Sequence, residues 1–166
     1  FWIPMNIFDL RLQAAGTGVV PNVARPKGVQ VWTENTNDRI TTLDYGDAGE
    51  GLRPMRIVGA KNGTFCGQLV VGSDQPLTGV KVTVGDLKAV KGAGVIPGSK
   101  VALFYARPDT SFYGMPTWFD GLQAEPPAEV AVAKGGGALQ PVLVRVTVPK
   151  ETPAGDYRGE AVVVVA

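Results

Sequence analysis

The chain contains no histidine and a single cysteine, Cys66. Without an imidazole, a Ser-His-Asp triad, a Cys-His dyad and a His-ligated zinc site are all excluded within these 166 residues. One thiol excludes an intramolecular disulfide and a four-cysteine metal site, and its simplest role is that of a small buried hydrophobe. An excess of charge is missing too: 16 Lys and Arg face 15 Asp and Glu, and no basic block interleaves with aromatics. Electrostatics therefore gives no attraction to nucleic acid, to an acidic polymer or to a membrane surface. No run approaches the roughly 20 consecutive apolar residues of a membrane span. The chain opens on Phe1 and not on methionine, so it reads as a processed product or, more naturally, an excised piece. Its first stretch, FWIPMNIFDLRL, is too short and too polar for an intact secretory signal. Helical periodicity uninterrupted by Gly or Pro is absent as well.

What is present is alternation at the two-residue period of half-buried strands. The cleanest case is Val80-Lys81-Val82-Thr83-Val84. Similar runs occupy 29–33, 39–43, 64–71, 101–106, 142–148 and 157–165, separated by Gly, Pro, Asn and Asp clusters such as Gly46-Asp47-Ala48-Gly49. The sequence predicts an all-β fold, a two-sheet antiparallel β-sandwich of immunoglobulin-like type. Residues 1–27, with Pro4, Pro21 and Pro26, are expected to form an arm or leading strand before a sandwich domain over 28–166.

The stretch LVRVTVPKETPAGDYRGEAVVVV, residues 143–165, is dense in valine for a physical reason. Val142, Val144, Val146 and Val148 share one strand face, and Tyr157, Gly159, Ala161, Val163 and Val165 share another. Val162 and Val164 make the opposite face apolar also, as for a buried strand. Between the runs, Thr152-Pro153-Ala154-Gly155 carries Pro second and Gly fourth, which fits a type I turn. Tyr157 follows Gly155 by two residues, so Pro153, Gly155 and Tyr157 are expected to build a tyrosine corner, with the phenol bonded back to upstream backbone.

Residues 107–138 break the rhythm, and loops this long are functional or packed on a neighbour. Phe112, Tyr113, Trp118 and Phe119 cluster here, and three readings stay open for them. They fill the end of the sandwich, they dock on another domain, or they stack on sugar rings. Trp32, on a predicted strand, is a core or edge residue. Paired carboxylates such as Asp44 with Asp47, or Asp120 with Glu125, fall in turn-like segments and read as turn residues ahead of catalytic or calcium-binding ones. Gly135-Gly136-Gly137 lacks the Lys-Ser/Thr of a phosphate loop and reads as a flexible connector. Asn62-Gly63-Thr64 matches a glycosylation sequon but is better read as a turn. No metal or cofactor is expected.

The valine-rich stretch VPKETPAGDYRGEAVVVV resembles the close of the N-terminal β-sandwich in bacterial proteins similar to glycoside hydrolase family 123. RIVGAKNGTFCGQLVVGSDQPLTGVKVTVGDL, residues 56–87, resembles that family's central portion at Ala60, Asn62, Gln68, Leu77 and Asp86-Leu87. The resemblance spans about 28–166, with a departure at Gly63, where the family commonly has an acidic residue. It implies an accessory domain that precedes a catalytic barrel in a secreted, periplasmic or cell-surface parent. In the family, hydrolysis of N-acetylgalactosamine glycosides is assisted by the substrate's acetamido group and rests on an Asp-Glu pair in the barrel. This chain has no Asp-Glu dipeptide, so no catalytic residue is carried over. The expected partner is the downstream catalytic domain, and the alternative is a carbohydrate-binding module using the loop aromatics. An end on Val-Val-Val-Val favours the first, because an unprotected apolar strand is an unusual terminus.

Overall fold

The computed structural model describes residues 24–108 and 117–166. All but the last four residues of the expected N-terminal arm, and both Phe112 and Tyr113, lie outside the described residues. Among the described residues the fold is all-β, with a single 3-10 turn at Gly98–Lys100 and no other helix. None is long and apolar enough to cross a membrane.

Numbered in chain order, five strands form the largest sheet: β1 (Val29–Glu34), β2 (Thr64–Ser73), β7 (Val101–Arg107), β8 (Gly121–Gln123) and β10 (Ala138–Thr147). Their order is β1-β2-β10-β7-β8, and every neighbouring pair is antiparallel. Three smaller antiparallel sheets accompany it. One joins β11 (Tyr157–Arg158), β5 (Leu87–Ala89) and β6 (Val95–Ile96); one pairs β12 (Ala161–Val164) with β4 (Lys81–Val84); one pairs β3 (Leu77–Thr78) with β9 (Glu129–Val130).

The spine of the large sheet is the β2–β10 ladder, in register from Thr64↔Thr147 to Ser73↔Ala138. Asn62 and Gly63 prolong it, because Asn62 N–H donates to Val148 O at 2.9 Å and Val148 N–H donates to Gly63 O at 2.9 Å. Asn62 takes φ +59°, a left-handed conformation that asparagine tolerates in turns, and Gly63 N–H closes onto Ala60 O. The sequon-like triplet is thus held in a turn leading into β2.

Because side chains alternate across a strand, β10 sends two sets of residues to opposite faces. Val142, Val144 and Val146 join Leu69, Val71 and Tyr105 of the same sheet in one cluster with Leu77, Val82 and Ile96 from the smaller sheets and Val80 between β3 and β4. Lys81 and Thr83 point away to solvent, and Val84 and Val148 are half-buried. The other face, called the outer face below, carries a smaller cluster of Ile40, Val70 and Leu139, with Trp32 and Phe119 packed against it. Trp32 lies where glycine leaves room: a Cβ on Gly72 would stand 2.8 Å from its ring and one on Gly46 3.2 Å.

β10 also contains Pro141, which brings no N–H to a central ladder. The register with β7 begins one residue later, at Val142↔Tyr105. Gln140, only 2% exposed, supplies the missing donor: its side-chain Nε2 donates to Ala106 O at 2.9 Å and to Pro141 O at 2.8 Å.

Several expectations are corrected. Residues 39–43 are not a strand. Thr41 N–H and Oγ1 donate to Asp44 Oδ2, and Leu43 N–H donates to Thr41 Oγ1, so side chains capture the backbone and leave only an isolated bridge between Thr41 and Trp118. The region 107–138 is not one long loop, since it contains β8 and β9. The closing strand is broken at Gly159-Glu160 into β11 and β12, and its Val162 and Val164 are exposed, at 51% and 54%, because β12 pairs only with β4 and nothing covers its other side among the described residues. Gly135-Gly136-Gly137 is packed and not a free connector: Gly137 is buried, its N–H donates to Thr42 O, and a Cβ on Gly136 would stand 2.2 Å from that same oxygen. Cys66 is exposed and not buried, for it lies on the outer face at the end of β2 away from the small cluster.

Candidate functional site

The outer face of the five-stranded sheet is covered at one end and bare at the other. Its cover is formed by residues 40–42 and 117–119, which run side by side: Thr42 N–H donates to Thr117 O at 3.2 Å and Thr41 bridges Trp118. Phe119 turns inward against Ile40, Val70 and Leu139. Trp118 is half-buried, and the guanidinium of Arg39 lies 4.4 Å from its ring centroid, a cation–π contact that occupies a ring face. At the bare end Arg145 covers Phe104 in the same manner, at 4.5 Å.

Where the cover stops, a hollow of about 240 Å³ opens. Its floor is the outer face itself, with Ala106, Pro141, Leu122 and Leu143. Thr36 to Ile40 form one side, and Phe119 with Asp120 another, with Gln68 projecting from β2. Of the aromatic quartet, Phe119 lines this hollow and Trp118 does not, being held beside Arg39; Phe112 and Tyr113 lie outside the described residues. The carboxylate pairs do not converge. Asp44 is spent on Thr41, Asp47 Oδ1 caps Gly49 N–H at 2.7 Å, and Asp120 reaches the hollow without Glu125, whose backbone oxygen instead accepts from Gln123 Nε2. Among the described residues no group of three or more His, Cys, Asp or Glu is arranged to hold a metal ion.

Two charged groups are displaced from their ordinary titration. Partial burial lowers the pKa of Arg25, whose Nη2 donates to Thr42 O at 3.0 Å while the guanidinium lies 5.4 Å from the Tyr45 ring centroid. Asp74 is held below the usual carboxylate range, chiefly because its Oδ1 accepts from Gly28 N–H at 2.7 Å. Arg25 ties the chain entering β1 to the 40–42 segment, and Asp74, just after β2, ties it to the sheet.

At the C-terminal corner, Tyr157 O–H donates to Pro153 O at 2.9 Å. The hydrogen-bonded turn stands three residues before the expected one, with Thr152 N–H donating to Pro149 O, and Gly155 then adopts φ +152°. Tyr157 packs on the large cluster. Gly94 faces it so closely that a Cβ there would stand 2.4 Å from the phenol oxygen.

No protein-family model and no curated protein matches the sequence. Among solved structures, a family 123 glycoside hydrolase from Clostridium perfringens, an enzyme of glycolipid glycan hydrolysis, matches with a TM-score of 0.66 and 11% identity. The alignment covers 84% of this chain and 25% of that one. The likeness is one of fold. This chain spans a quarter of the length of the hydrolase it matches.

The hollow escaped the sequence reading because its lining is scattered over β2, the 36–40 loop, β8 and β10. The only local signal was the Trp118-Phe119 pair followed by Asp120. As chemistry, the hollow offers side-chain amides and carboxylates around an apolar floor.

Proposed function

We propose that this chain is a non-catalytic accessory domain of a larger carbohydrate-processing protein, an immunoglobulin-like β-sandwich that packs against a downstream catalytic barrel. The observation that carries this reading is the asymmetry of the fold match, in which most of this chain corresponds to a quarter of a glycoside hydrolase. Within the chain, the large cluster joins one face of the five-stranded sheet to residues of the smaller sheets, which suits two packed layers. The Tyr157–Pro153 bond suits an immunoglobulin-like corner. A sequence without histidine and without an Asp-Glu pair suits a supporting role.

The alternative, a carbohydrate-binding module that stacks sugars on loop aromatics, loses support at the two aromatics described. Phe119 is spent on the core and a face of Trp118 is occupied by Arg39. The test is a pair of proteins: this chain alone, and this chain followed by the rest of its reading frame. Assayed on aryl N-acetylgalactosaminides, the short protein is expected to be inactive and the longer one active and more resistant to heat. Hydrolysis by the short protein, or a longer protein whose two parts melt independently, overturns the reading.

A further inference from the structure

The hollow beside Phe119 is not needed to explain a packing domain, and its lining sets polar side chains around an apolar floor. The large cluster of the domain lies on the opposite face of the sheet, so the hollow is not a fault in the main core. Its floor presents Leu122, 53% exposed, and half-buried Leu143 at the point where the loop cover ends. Around that floor stand Asn37, Asp38, Gln68 and Asp120, four side chains that bring both amide donors and carboxylate acceptors. Among the described residues none of these four side chains has a hydrogen-bond or ion-pair partner, whereas the acids of neighbouring turns, Asp44 and Asp47, are both occupied. Free planar amides and carboxylates over an apolar floor match a ligand with hydroxyl groups on its rim and C–H groups on its face. At about 240 Å³ the hollow falls below the roughly 300 to 1,000 Å³ of sites for drug-sized ligands, which limits the occupant to about one ring.

We propose that this hollow is a binding site for a single uncharged sugar residue, with Asn37, Asp38, Gln68 and Asp120 addressing its hydroxyls and Leu122 and Leu143 its apolar face. The mode differs from aromatic stacking, since Phe119 packs on the small core cluster and one face of Trp118 is occupied by Arg39. The inference stands on the lining of the hollow and not on the accessory-domain reading, and the two fail separately: sugar binding is read on this chain alone, the accessory role on the longer protein.

The test is titration of the 15N-labelled chain with methyl β-galactoside, N-acetylgalactosamine and methyl β-glucoside, following the side-chain amide signals of Asn37 and Gln68. At least one sugar is expected to shift both signals saturably with a millimolar Kd. Asp120→Ala is expected to weaken that binding about tenfold, the worth of one good hydrogen bond, while leaving the rest of the spectrum in place. Should Asp120→Ala disturb the fold, Asp38→Ala repeats the measurement from the other loop. Amide signals that do not respond to any of the three sugars, binding indifferent to the substitution, or saturation by calcium chloride or choline in place of a sugar each overturn the proposal.

Discussion

The backbone N–H of Val82 donates to the phenol oxygen of Tyr105 at 3.0 Å, deep in the core where both residues are 3% exposed. Tyr105 belongs to β7 of the large sheet and Val82 to β4 of a small one, so a side chain completes backbone hydrogen bonding between two sheets that share no ladder. Tyr105→Phe keeps the ring but strands a buried N–H. The expected loss is about 1 to 3 kcal/mol, the cost of an unsatisfied buried donor, read as a lower urea midpoint with unchanged slope. A variant as stable as the parent shows that water or a shifted strand serves Val82.

The corner at Tyr157 gives a graded comparison. Its phenol is nearer to solvent, so Tyr157→Phe is expected to cost less, about 0.5 to 1.5 kcal/mol. Gly94→Ala acts on the same bond from outside. The new methyl would lie 2.4 Å from the phenol oxygen, and that oxygen moves only by leaving Pro153 O. Combining the two substitutions is therefore expected to cost less than their sum, because Tyr157→Phe removes both the bond and the crowded atom. Strict additivity in thermal melts contradicts the coupling.

Asp74 links pH to stability through Gly28. Its native pKa lies below the unfolded one, so the contribution is complete above the ordinary carboxylate range and is lost as pH falls through the native value. Asp74→Asn keeps an oxygen acceptor for Gly28 N–H but no charge. The variant is expected to show a flatter decline of melting temperature in acid, with the curves converging at the lowest pH. Parallel curves at every pH exclude a role for the charge.

How much of this was legible in the sequence differs by element. The alternation of Val80, Val82, Val142, Val144 and Val146 pointed inward, as found, because one strand face meets the large cluster along its whole length. The outer face obeys no single rule along a strand. On β2, Val70 is fully buried and Cys66 exposed although both point the same way, since cover arrives from residues 40–42 and 117–119, distant in sequence. Val162 and Val164 show the same limit from the other side, as valine reports fitness for a strand and not what lies over it. The hollow was illegible for this reason too: Asp120 and Gln68 meet through the ladders of β2, β10, β7 and β8, and no spacing within one segment records that.

Gln140 supplies the last and sharpest prediction. Its Nε2 stands between two carbonyl oxygens, Ala106 O and Pro141 O, beside the one residue of β10 that has no N–H of its own. Gln140→Leu removes the donor and leaves two buried acceptors unserved, for an expected loss of about 1 to 3 kcal/mol. Gln140→Glu is nearly isosteric yet is expected to be worse at neutral pH, because a carboxylate facing two carbonyls is repelled as well as desolvated. Those effects raise the carboxyl's pKa in the folded state above its unfolded value. Relative to the parent, the deficit of Gln140→Glu is then smallest below the unfolded carboxyl pKa, where the protonated group can donate to one carbonyl, and it grows as pH rises through the folded value. Urea unfolding of parent and both variants across that range measures it. A deficit independent of pH, or one smaller than that of Gln140→Leu at neutral pH, means that Ala106 O finds its donor elsewhere and that the side chain of Gln140 is not what makes a proline tolerable in the middle of this sheet.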